Sequence, residues 1–451
     1  MGIFKKFLKR EKIRERLFVL SIDGLPHSFL AEPSGRMLMP NLAAVTASGA
    51  MGRMNSVLPT VSSVAWASYA TGVNPGKHGI FGFVDRVPSP FATWVPTARD
   101  LKAPTLWELI GRTGKEVGVI NVPLTYPPRQ VNGFMVACFL SPDLASATYP
   151  PELTPQLLEL DYRIEAESAL AGHDQNAYLA DLQDTMARRF KAAFQLIHSQ
   201  SWDFFHLHVM GSDRVNHFHW GSWEDNAPGA AGFENFYRRL DSYIGELTEH
   251  LPPGCRLMIL SEHGFTRAKG NVFVNRWLEE NGYLLFGRGR KELKNMHPDS
   301  RAYSLVPGRI YINLEGREER GRVNAGKAYE DLRDELIHRL AALCHPETGQ
   351  PVVEAVLRRE EIYSGPHTSR AADLIIAPAA GFDLKANLSA PAVVRPPDLG
   401  GVHTYDDAFL FIQSAAALPA HNTFSIIDVT PTILKIMNIA APQSMDGRVL
   451  L

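Results

Sequence analysis

Cysteine, net charge and long apolar runs are all scarce in this sequence. Its 451 residues include three cysteines, Cys138, Cys255 and Cys344, which are too few and too scattered for a disulfide framework or a thiolate metal site. Lysine and arginine (46) nearly balance aspartate and glutamate (48), for a formal net charge of −2. A balanced charge gives no reason to expect nucleic acid as a partner. We therefore expect no nucleic-acid binding and place the protein in a reducing cytoplasm.

The first residues form a basic amphipathic segment rather than a membrane-spanning one. No stretch of about 18 uncharged apolar residues occurs, so a spanning helix is not predicted. In MGIFKKFLKREKIRER, apolar residues at positions 3, 4, 7 and 8 have helical spacing and basic residues lie between them. Such a helix either packs on its own domain or touches an anionic surface. The second alternative predicts weak contact of residues 1–16 with the inner membrane surface.

Short, almost continuously apolar runs predict buried strands. The clearest is LFVLSI at Leu17–Ile22, and similar runs lie at 117–122, 134–139, 204–209, 256–260 and 374–377. Runs without polar alternation are typical of strands covered on both faces. Apolar residues spaced three and four apart predict helices at 178–199 and 231–251. The alternation predicts an α/β fold with helices on both faces of a mostly parallel sheet.

The chain divides at soft boundaries. Residues 1–15 are the basic amphipathic segment, and 16–266 are the first part of a catalytic core. Residues 267–400 mix short strands, such as 309–313, with a helix near 328–345, and we interpret them as an inserted cap. Residues 401–451 then complete the core.

Two early segments carry reactive side chains, one just after a predicted strand and the other at the start of a predicted helix. Asp23 follows the first apolar strand, and ligands gather at the carboxyl ends of strands in α/β sheets. In LPTVSSVAWASYATGVNPG, Ser62 and Ser63 open a helical run that Gly72 ends. The dipole and free N–H groups of a helix N-terminus favour a phosphate group. Taken alone, each feature also fits a capping residue.

Three later segments carry the remaining candidate ligands. Asp213 and His217 lie four residues apart, on one face of a helix. Glu262 and His263 follow another apolar strand and precede a glycine, and His403 lies in the glycine-rich stretch GGVHTY. Carboxylate and imidazole groups together suit Zn²⁺ or Mn²⁺. The other candidate histidines are given structural or supporting roles; they are His78, His206, His208 and His219.

The order of these segments resembles the type I phosphodiesterase/nucleotide pyrophosphatase family of the alkaline phosphatase superfamily. The stretches that carry the resemblance are PTVSSVAWASYATGVNPGKHGIFGF, DRVNHFHW, SEHGFT, NRWLEENGYL and SMDGRVL. The resemblance runs from about residue 16 to the end of the chain. It implies an alkaline-phosphatase-like three-layer α/β/α sandwich with a mostly parallel central sheet and an inserted cap.

The resemblance also implies two metal sites and a nucleophile. Asp213, His217 and His403 would form one site, and Asp23, Glu262 and His263 the other. Ser62, at the fourth position of the P-x-x-[TS] element, would be the nucleophile and face both ions, with Ser63 as the alternative.

The sequence departs from the family at two positions. The family usually has aspartate where Glu262 stands, so either the backbone shifts to absorb the extra methylene or that metal is bound more weakly. Several nucleotide pyrophosphatases carry an asparagine at the position of Ala65, so their substrate preference does not transfer.

The implied function is a metal-dependent phosphoester hydrolase of the phosphodiesterase/nucleotide pyrophosphatase type, acting on a small-molecule phosphoester through a phospho-Ser62 intermediate. A divalent ion lowers the pKa of an alcohol that it binds, and a second ion neutralises phosphoryl oxygens. Zn²⁺ is the first choice and Mn²⁺ the second. Phosphomonoesterase and phosphonate hydrolase activities are alternatives on the same site. A catalytically weak scaffold or membrane-surface relative is the non-enzyme alternative.

Overall fold

The computed structural model describes residues 15–420 and 423–451. The predicted basic amphipathic segment at 1–15 lies almost entirely outside these residues, so its contact with a membrane surface stays a prediction. Among the helices described, none is both long enough and apolar enough to cross a bilayer.

Strands occur throughout the described ranges. In chain order they are β1 (Leu17–Ile22), β2 (Gly49–Met54), β3 (Asp85–Pro88), β4 (Phe91–Trp94), β5 (Val117–Ile120), β6 (Gly133–Val136), β7 (Thr148–Tyr149), β8 (Phe204–Val209), β9 (Arg256–Leu260), β10 (Gly264–Arg267), β11 (Gly270–Phe273), β12 (Ala302–Leu305), β13 (Arg309–Ile312), β14 (Val353–Arg358), β15 (Leu374–Pro378), β16 (Phe382–Lys385), β17 (Val394–Arg395), β18 (Gly401–Thr404) and β19 (Ala408–Gln413).

Helices connect most of these strands. In chain order they are α1 (His27–Ala31), α2 (Pro33–Leu38), α3 (Pro40–Thr46), α4 (Ser62–Thr71), α5 (Pro75–His78), α6 (Leu106–Gly111), α7 (Leu144–Ala147), α8 (Thr154–Glu159), α9 (Gln175–Ser199), α10 (Gly211–Glu224), α11 (Ala230–His250), α12 (Val274–Glu280), α13 (Lys327–Ala341), α14 (Arg359–Ile362) and α15 (Val429–Ile436). The helices predicted at 178–199 and 231–251 are α9 and α11: α9 begins three residues earlier and ends where predicted, and α11 begins and ends one residue earlier.

The central sheet has eight strands in the order β2-β19-β9-β1-β8-β5-β6-β7. The neighbours from β9 to β6 all pair in parallel, whereas β19 is antiparallel to both β9 and β2, and β7 is antiparallel to β6. Six strands therefore run in one direction and two in the other, which confirms the predicted mostly parallel sheet.

Strand β1 shows why the sheet is covered on both faces. All six of its residues are buried, and successive side chains point to opposite faces of a strand. Phe18 and Leu20 pack into an apolar cluster with α9 and α11, whereas Leu17 and Val19 pack into a second cluster with α4, α6 and α15. The sheet is thus the middle layer of an α/β/α sandwich, as predicted.

One predicted strand ends earlier than its apolar run. The sequence pattern extends to residue 122, but β5 ends at Ile120 because Asn121 and Leu124 adopt left-handed backbone conformations with φ of 65° and 63°. The chain therefore turns away from the sheet edge at this point and passes over the site described below.

Residues 267–400 contain further sheets and an apolar cluster of their own. Strands β12, β13, β15 and β14 form a four-stranded antiparallel sheet, and β11 pairs with β16 and β17. The predicted strand at 309–313 and helix near 328–345 correspond to β13 and α13. Strands β10 and β18 pair antiparallel, which brings the two ends of this region together. The division of the chain at residues 266 and 400 stays a prediction.

A buried aspartate organises the four-stranded sheet. The Asp373 carboxylate is fully buried and accepts hydrogen bonds from Arg317 (2.6 and 2.7 Å), Arg359 (3.0 Å), the Tyr329 hydroxyl (2.6 Å) and the Ile312 N–H (2.7 Å). Burial opposes ionisation of Asp373, but hydrogen bonding from Arg317 prevails and holds its pKa below the ordinary value. The ionised carboxylate therefore stabilises the folded state.

We expect Asp373→Asn to lower the free energy of unfolding by about 2 kcal/mol, because Arg317 and Arg359 lose the buried carboxylate that they share and keep ion pairs only with Glu318 and Glu360. A carboxylate with a lowered folded-state pKa contributes fully above its unfolded pKa of about 3.9, and the contribution disappears as pH falls through the folded value. The difference between wild type and variant, measured by urea unfolding, should therefore be full at neutral pH and shrink below about pH 4.

Asp331→Asn is the matched control for this experiment. Asp331 pairs with Lys327 at the surface, where their side chains are 59% and 86% exposed, and we expect a change within about 0.5 kcal/mol. Equal losses of stability in the two variants would contradict the role assigned to Asp373.

Candidate metal centre

The candidate residues meet at the carboxyl edge of the central sheet. Strands β8, β1 and β9 are parallel neighbours, so their carboxyl ends lie side by side. Asp23 follows β1, Asp213 lies in the first turn of α10 after β8, and Glu262 and His263 follow β9. His403 reaches the same edge from β18, where it pairs with Phe265 of β10.

Ser62 enters the centre from the start of α4. It is the first residue of the helix, Val61 precedes it as N-cap, and no side chain caps the helix. The Ser62 hydroxyl is therefore not used as a cap, and its Oγ lies 3.4 Å from Nε2 of His263. Gly72, with φ of 66°, ends the helix as predicted. Ser63 is buried, and its hydroxyl has no hydrogen-bond partner among the described residues.

All three imidazoles are held by backbone carbonyls. Nδ1 of His217 lies 3.0 Å from the Gly401 carbonyl, and Nδ1 of His263 lies 3.1 Å from the carbonyl of Gly264. Nδ1 of His403 lies 3.1 Å from the carbonyl of Thr60. A carbonyl only accepts, so each Nδ1 donates its proton. The Nε2 atoms are thereby left as the ring nitrogens that face the centre.

Asp213, His217 and His403 form a compact group. The Nε2 atoms of the two histidines are 3.0 Å apart, and Oδ1 of Asp213 lies 3.1 Å from His403 Nε2 and 3.4 Å from His217 Nε2. Burial opposes ionisation of Asp213, but the charge of His217 and the hydrogen bond from His403 hold its pKa well below the ordinary value. Burial alone would lower the pKa of His403, but the hydrogen bond to Asp213 outweighs it and raises that pKa.

Asp23, Glu262 and His263 form a second, fully buried group. Nε2 of His263 lies 3.2 Å from Oε1 of Glu262 and 3.8 Å from Oδ1 of Asp23. Burial, followed by the charge of Asp23, raises the pKa of Glu262 well above its ordinary value. Burial, followed by the charge of His403, lowers the pKa of His263 to about 3. Oε2 of Glu262 reaches the loop after β1, where it accepts the Gly24 N–H at 3.3 Å.

His263 joins the two groups. Its ring stacks on that of His403 with centroids 3.7 Å apart. Ligand atoms of Asp213, His263 and His403 lie within 4.8 Å of one another, as do those of Asp23, Glu262 and His263. The structure thus brings all six predicted ligands and Ser62 together, while their division into two sets of three stays a prediction.

The donor set fits divalent metal ions. Oδ1 of Asp23 and Oε1 of Glu262 are buried without a hydrogen-bond partner among the described residues, and unpaired buried carboxylate oxygens are costly. Imidazole nitrogens and carboxylate oxygens are ligands that Zn²⁺ and Mn²⁺ accept. A cation between these atoms would satisfy both the unpaired oxygens and the facing Nε2 lone pairs.

A buried hydrogen-bond chain orients Asp23 from behind. Oδ2 of Asp23 accepts Trp66 Nε1–H at 3.2 Å and faces His208 Nε2 at 3.3 Å. The Ser21 hydroxyl lies 2.8 Å from both His208 Nδ1 and His206 Nε2. Burial lowers the pKa of both histidines, which favours neutral rings. This chain has the form of the supporting contacts that fix metal ligands.

The four histidines given supporting roles from sequence lie in three places. His206 and His208 belong to the chain behind Asp23, as the role assigned from sequence requires. His78 instead contacts the Ser68 hydroxyl at 3.0 Å, and His219 packs beside Gly229. Sequence reasoning missed Trp66 and Arg214. Trp66 lies four residues after Ser62 in the helix, so helical spacing could have identified it.

A cavity of about 140 Å³ opens beside Ser62. Its lining includes Asp213, His217 and His403 together with Phe83 and Phe139. A small molecule can therefore reach the hydroxyl and one metal group from solvent.

Comparison with known proteins agrees with this architecture. The model of the type I phosphodiesterase/nucleotide pyrophosphatase family matches residues 17–406. Phosphonoacetate hydrolase from Sinorhizobium meliloti 1021, solved with phosphonoformate, is 19% identical with a TM-score of 0.67; the match covers 95% of this chain and 96% of the hydrolase.

Human ectonucleotide pyrophosphatase/phosphodiesterase 5 also shares the fold. It is 15% identical with a TM-score of 0.58, and the match covers 96% of this chain and 97% of the human one. The murine protein, in an inactive form with AMP, gives the same values. These likenesses confirm the predicted alkaline-phosphatase-like architecture.

We expect His208→Ala to weaken the affinity for Zn²⁺ by about tenfold to a hundredfold, since removal of a supporting contact typically has that effect. Asp23 would lose the imidazole that faces its Oδ2 and keep only the Trp66 Nε1–H at that oxygen. Competition with a fluorescent chelator measures the change.

His78→Ala is the control. It removes another fully buried histidine with a hydroxyl partner, but one that does not contact Asp23. Its affinity for Zn²⁺ should stay within about twofold of wild type even if it unfolds at lower temperature. An equal loss of affinity in the two variants would mean that His208 acts only through general stability.

Proposed function

Because the chain belongs to the type I phosphodiesterase/nucleotide pyrophosphatase family, whose members are hydrolases, we propose that it cleaves phosphoesters at a two-metal centre with Ser62 as nucleophile. The substrate is a small-molecule phosphoester. The reaction class proposed is phosphodiester or pyrophosphate hydrolysis, and the cellular location proposed is the cytoplasm.

One observation carries this proposal. Three imidazoles present Nε2 toward three carboxylates, with an alcohol 3.4 Å from one of the rings. Each imidazole has already committed its Nδ1 proton to a carbonyl. In a purely structural network, protons would lie between the imidazoles and the carboxylates. A metal centre instead needs the lone pairs of the imidazole nitrogens and carboxylate oxygens to point toward one place.

The residues divide into two sets of ligands. Asp213, His217 and His403 would hold one ion, and Asp23, Glu262 and His263 the other, with Zn²⁺ the first choice and Mn²⁺ the second. When bound, the ions would lower the pKa of the Ser62 hydroxyl and neutralise charge on the phosphoryl oxygens. Glu262 belongs to the second set. Its extra methylene would either shift the backbone there or weaken the binding of that ion.

Ser62 performs the group transfer. Its Oγ forms a bond to phosphorus while the bond to the leaving oxygen breaks, and the leaving group departs with the electron pair and gains a proton. Water then attacks the phosphorus of phospho-Ser62, which releases the phosphoryl group and restores the hydroxyl. Ser62 is the first of the ten residues of α4, and the dipole of the helix N-terminus stabilises negative charge on the transferred group.

Two related hydrolytic activities would use the same nucleophile and metal ligands. Phosphomonoester hydrolysis differs in the charge of the substrate, and phosphonate hydrolysis, the activity in the name of one structural neighbour, breaks a carbon–phosphorus bond. A scaffold with little turnover is the non-enzyme alternative. A substrate panel therefore decides between these possibilities.

We expect Ser62→Ala to reduce turnover of a chromogenic phosphodiester by roughly a thousandfold or more, because the alcohol that accepts the phosphoryl group is removed. Metal-loaded wild type should favour the diester over the corresponding monoester. Acid quenching during turnover should leave one phosphoryl group on the peptide that contains Ser62.

Ser63→Ala is the matched control, since it removes the adjacent hydroxyl from the same turn of α4. It should retain most of the diester activity and the phosphorylated peptide. If Ser63→Ala abolishes turnover and Ser62→Ala does not, the nucleophile is Ser63. If metal-loaded wild type cleaves none of the esters, the protein is not the proposed hydrolase.

A further inference from the structure

The cavity beside Ser62 is lined by apolar side chains as well as by proposed metal ligands, and these apolar side chains are called its apolar wall. Phe83, Val95, Leu124, Phe139 and Met210 all contribute to that wall. Leu124 and Met210 are buried, whereas Phe83 and Val95 are 37% and 42% exposed at the rim. The wall therefore continues from the floor of the cavity to the protein surface.

Two stacked aromatic rings form part of the wall. Phe83 and Phe139 lie parallel, with an interplanar angle of 3° and centroids 6.0 Å apart. Phe83 precedes β3, whose Asp85 forms a buried ion pair with Arg309 at 2.6 Å. This pair anchors the chain just after Phe83 to β13.

The apolar wall has no polar side chains that could form hydrogen bonds with a nucleoside. Among the described residues that line the cavity, Asp213 is the only acid, and neither asparagine nor glutamine contributes. A ribose or a base packed on the apolar side chains of this wall would find no polar side chain among them to replace hydrogen bonds lost to water, which is costly for buried polar groups. An alkyl or aryl group would lose nothing comparable and would gain burial.

Arg214 is the one arginine or lysine among the described residues that line this cavity. Its Nη1 lies 3.6 Å from Oδ2 of Asp213, beyond hydrogen-bond distance, and its guanidinium carbon lies 6.0 Å from the centroid of the Phe139 ring. No hydrogen bond from its side chain to another described residue occurs, so its donors remain available. A guanidinium held beside an apolar surface binds anionic oxygen strongly.

We propose that the substrate is a phosphoester of an apolar alcohol, whose alkyl or aryl group packs on Phe83 and Phe139 while Arg214 binds an anionic oxygen of the same molecule. This inference rests on the proposed function, because it takes Ser62 as the acceptor of the phosphoryl group. The anionic oxygen belongs either to the phosphoryl group or to a second acid on the organic group. Arg214 is thus a specificity-determining residue.

Alkylphosphonates test the apolar part without requiring turnover. We expect metal-loaded protein to bind methyl-, butyl- and octylphosphonate with increasing affinity, by about fourfold for each methylene that becomes buried. Calorimetry below the micellar concentration measures the dissociation constants. AMP should bind more weakly than octylphosphonate. Equal affinity across the series, or tightest binding of AMP, would overturn the proposal.

Variants locate the effect on the wall. Phe83→Ser and Phe139→Ser should each reduce the ratio of octylphosphonate to methylphosphonate affinity by at least about threefold. Met37→Ala removes an apolar side chain that is 75% exposed and does not line the cavity, so this control should keep the wild-type ratio. A ratio that stays unchanged in both phenylalanine variants would contradict the assignment.

Arg214 is tested with two probes of different charge. Arg214→Ala should weaken binding of butylphosphonate at least about tenfold, and Arg214→Lys should weaken it less. If Arg214→Ala weakens binding of 4-carboxybutylphosphonate by the same factor, the partner of Arg214 is a phosphoryl oxygen. If it weakens that binding by a larger factor, the partner is the second acid of the organic group. No loss with either probe would remove Arg214 from the proposal. Arg267→Ala, at an exposed surface ion pair, is the control.

Turnover separates this inference from the function on which it rests. Chain-length dependence of binding without cleavage of alkyl nitrophenyl phosphodiesters would leave the apolar site standing and remove the proposed reaction. Cleavage that depends on Ser62 but not on chain length, together with equal affinity for all three alkylphosphonates, would leave the proposed reaction standing and remove the apolar site.

Discussion

The electrostatic balance of six side chains at the carboxyl edge of the sheet is the constraint on which the site depends. Three carboxylates and two imidazoles form two groups that share His263, and the ligand atoms within each group lie within 4.8 Å of one another. His217 adjoins the first group, with its Nε2 3.0 Å from that of His403, and the members of the second group are fully buried. Like-charged groups at this separation cannot all ionise in a low-dielectric interior without a cation. In its absence, Glu262 keeps its proton far above the ordinary pKa, and a raised pKa favours a proton on His403. Two divalent ions would replace these protons.

The rest of the fold holds that arrangement in place. Parallel pairing of β8, β1 and β9 brings three strand ends together, and the antiparallel pair β10 and β18 delivers His403. Backbone carbonyls orient the imidazoles, and the chain through His208 and Ser21 orients Asp23. Ion pairs such as Arg309–Asp85 connect the four-stranded sheet to the segment that lines the cavity. The metal centre and the substrate wall are therefore fixed by separate parts of the structure.

Local signals in the sequence were sufficient for some features and not for others. Uninterrupted apolar runs identified β1, β8 and β9, and four-residue spacing placed Asp213 and His217 on one helical face, because both patterns are local. Nothing local could bring His403 to His217, since their approach depends on pairing between distant strands; the family resemblance supplied it. The early end of β5 was missed because hydrophobicity does not report the left-handed conformation of Asn121. Arg214 was missed because only the folded wall gives its charge an apolar setting.

Anomalous diffraction from crystals grown with Zn²⁺ tests the central claim most directly. The account predicts two peaks at the zinc edge, one contacted by Asp213, His217 and His403 and the other by Asp23, Glu262 and His263, separated by roughly 3.5–4 Å with Ser62 beside both. A single peak, or none, with the carboxylates joined instead by shared protons or water, would contradict it.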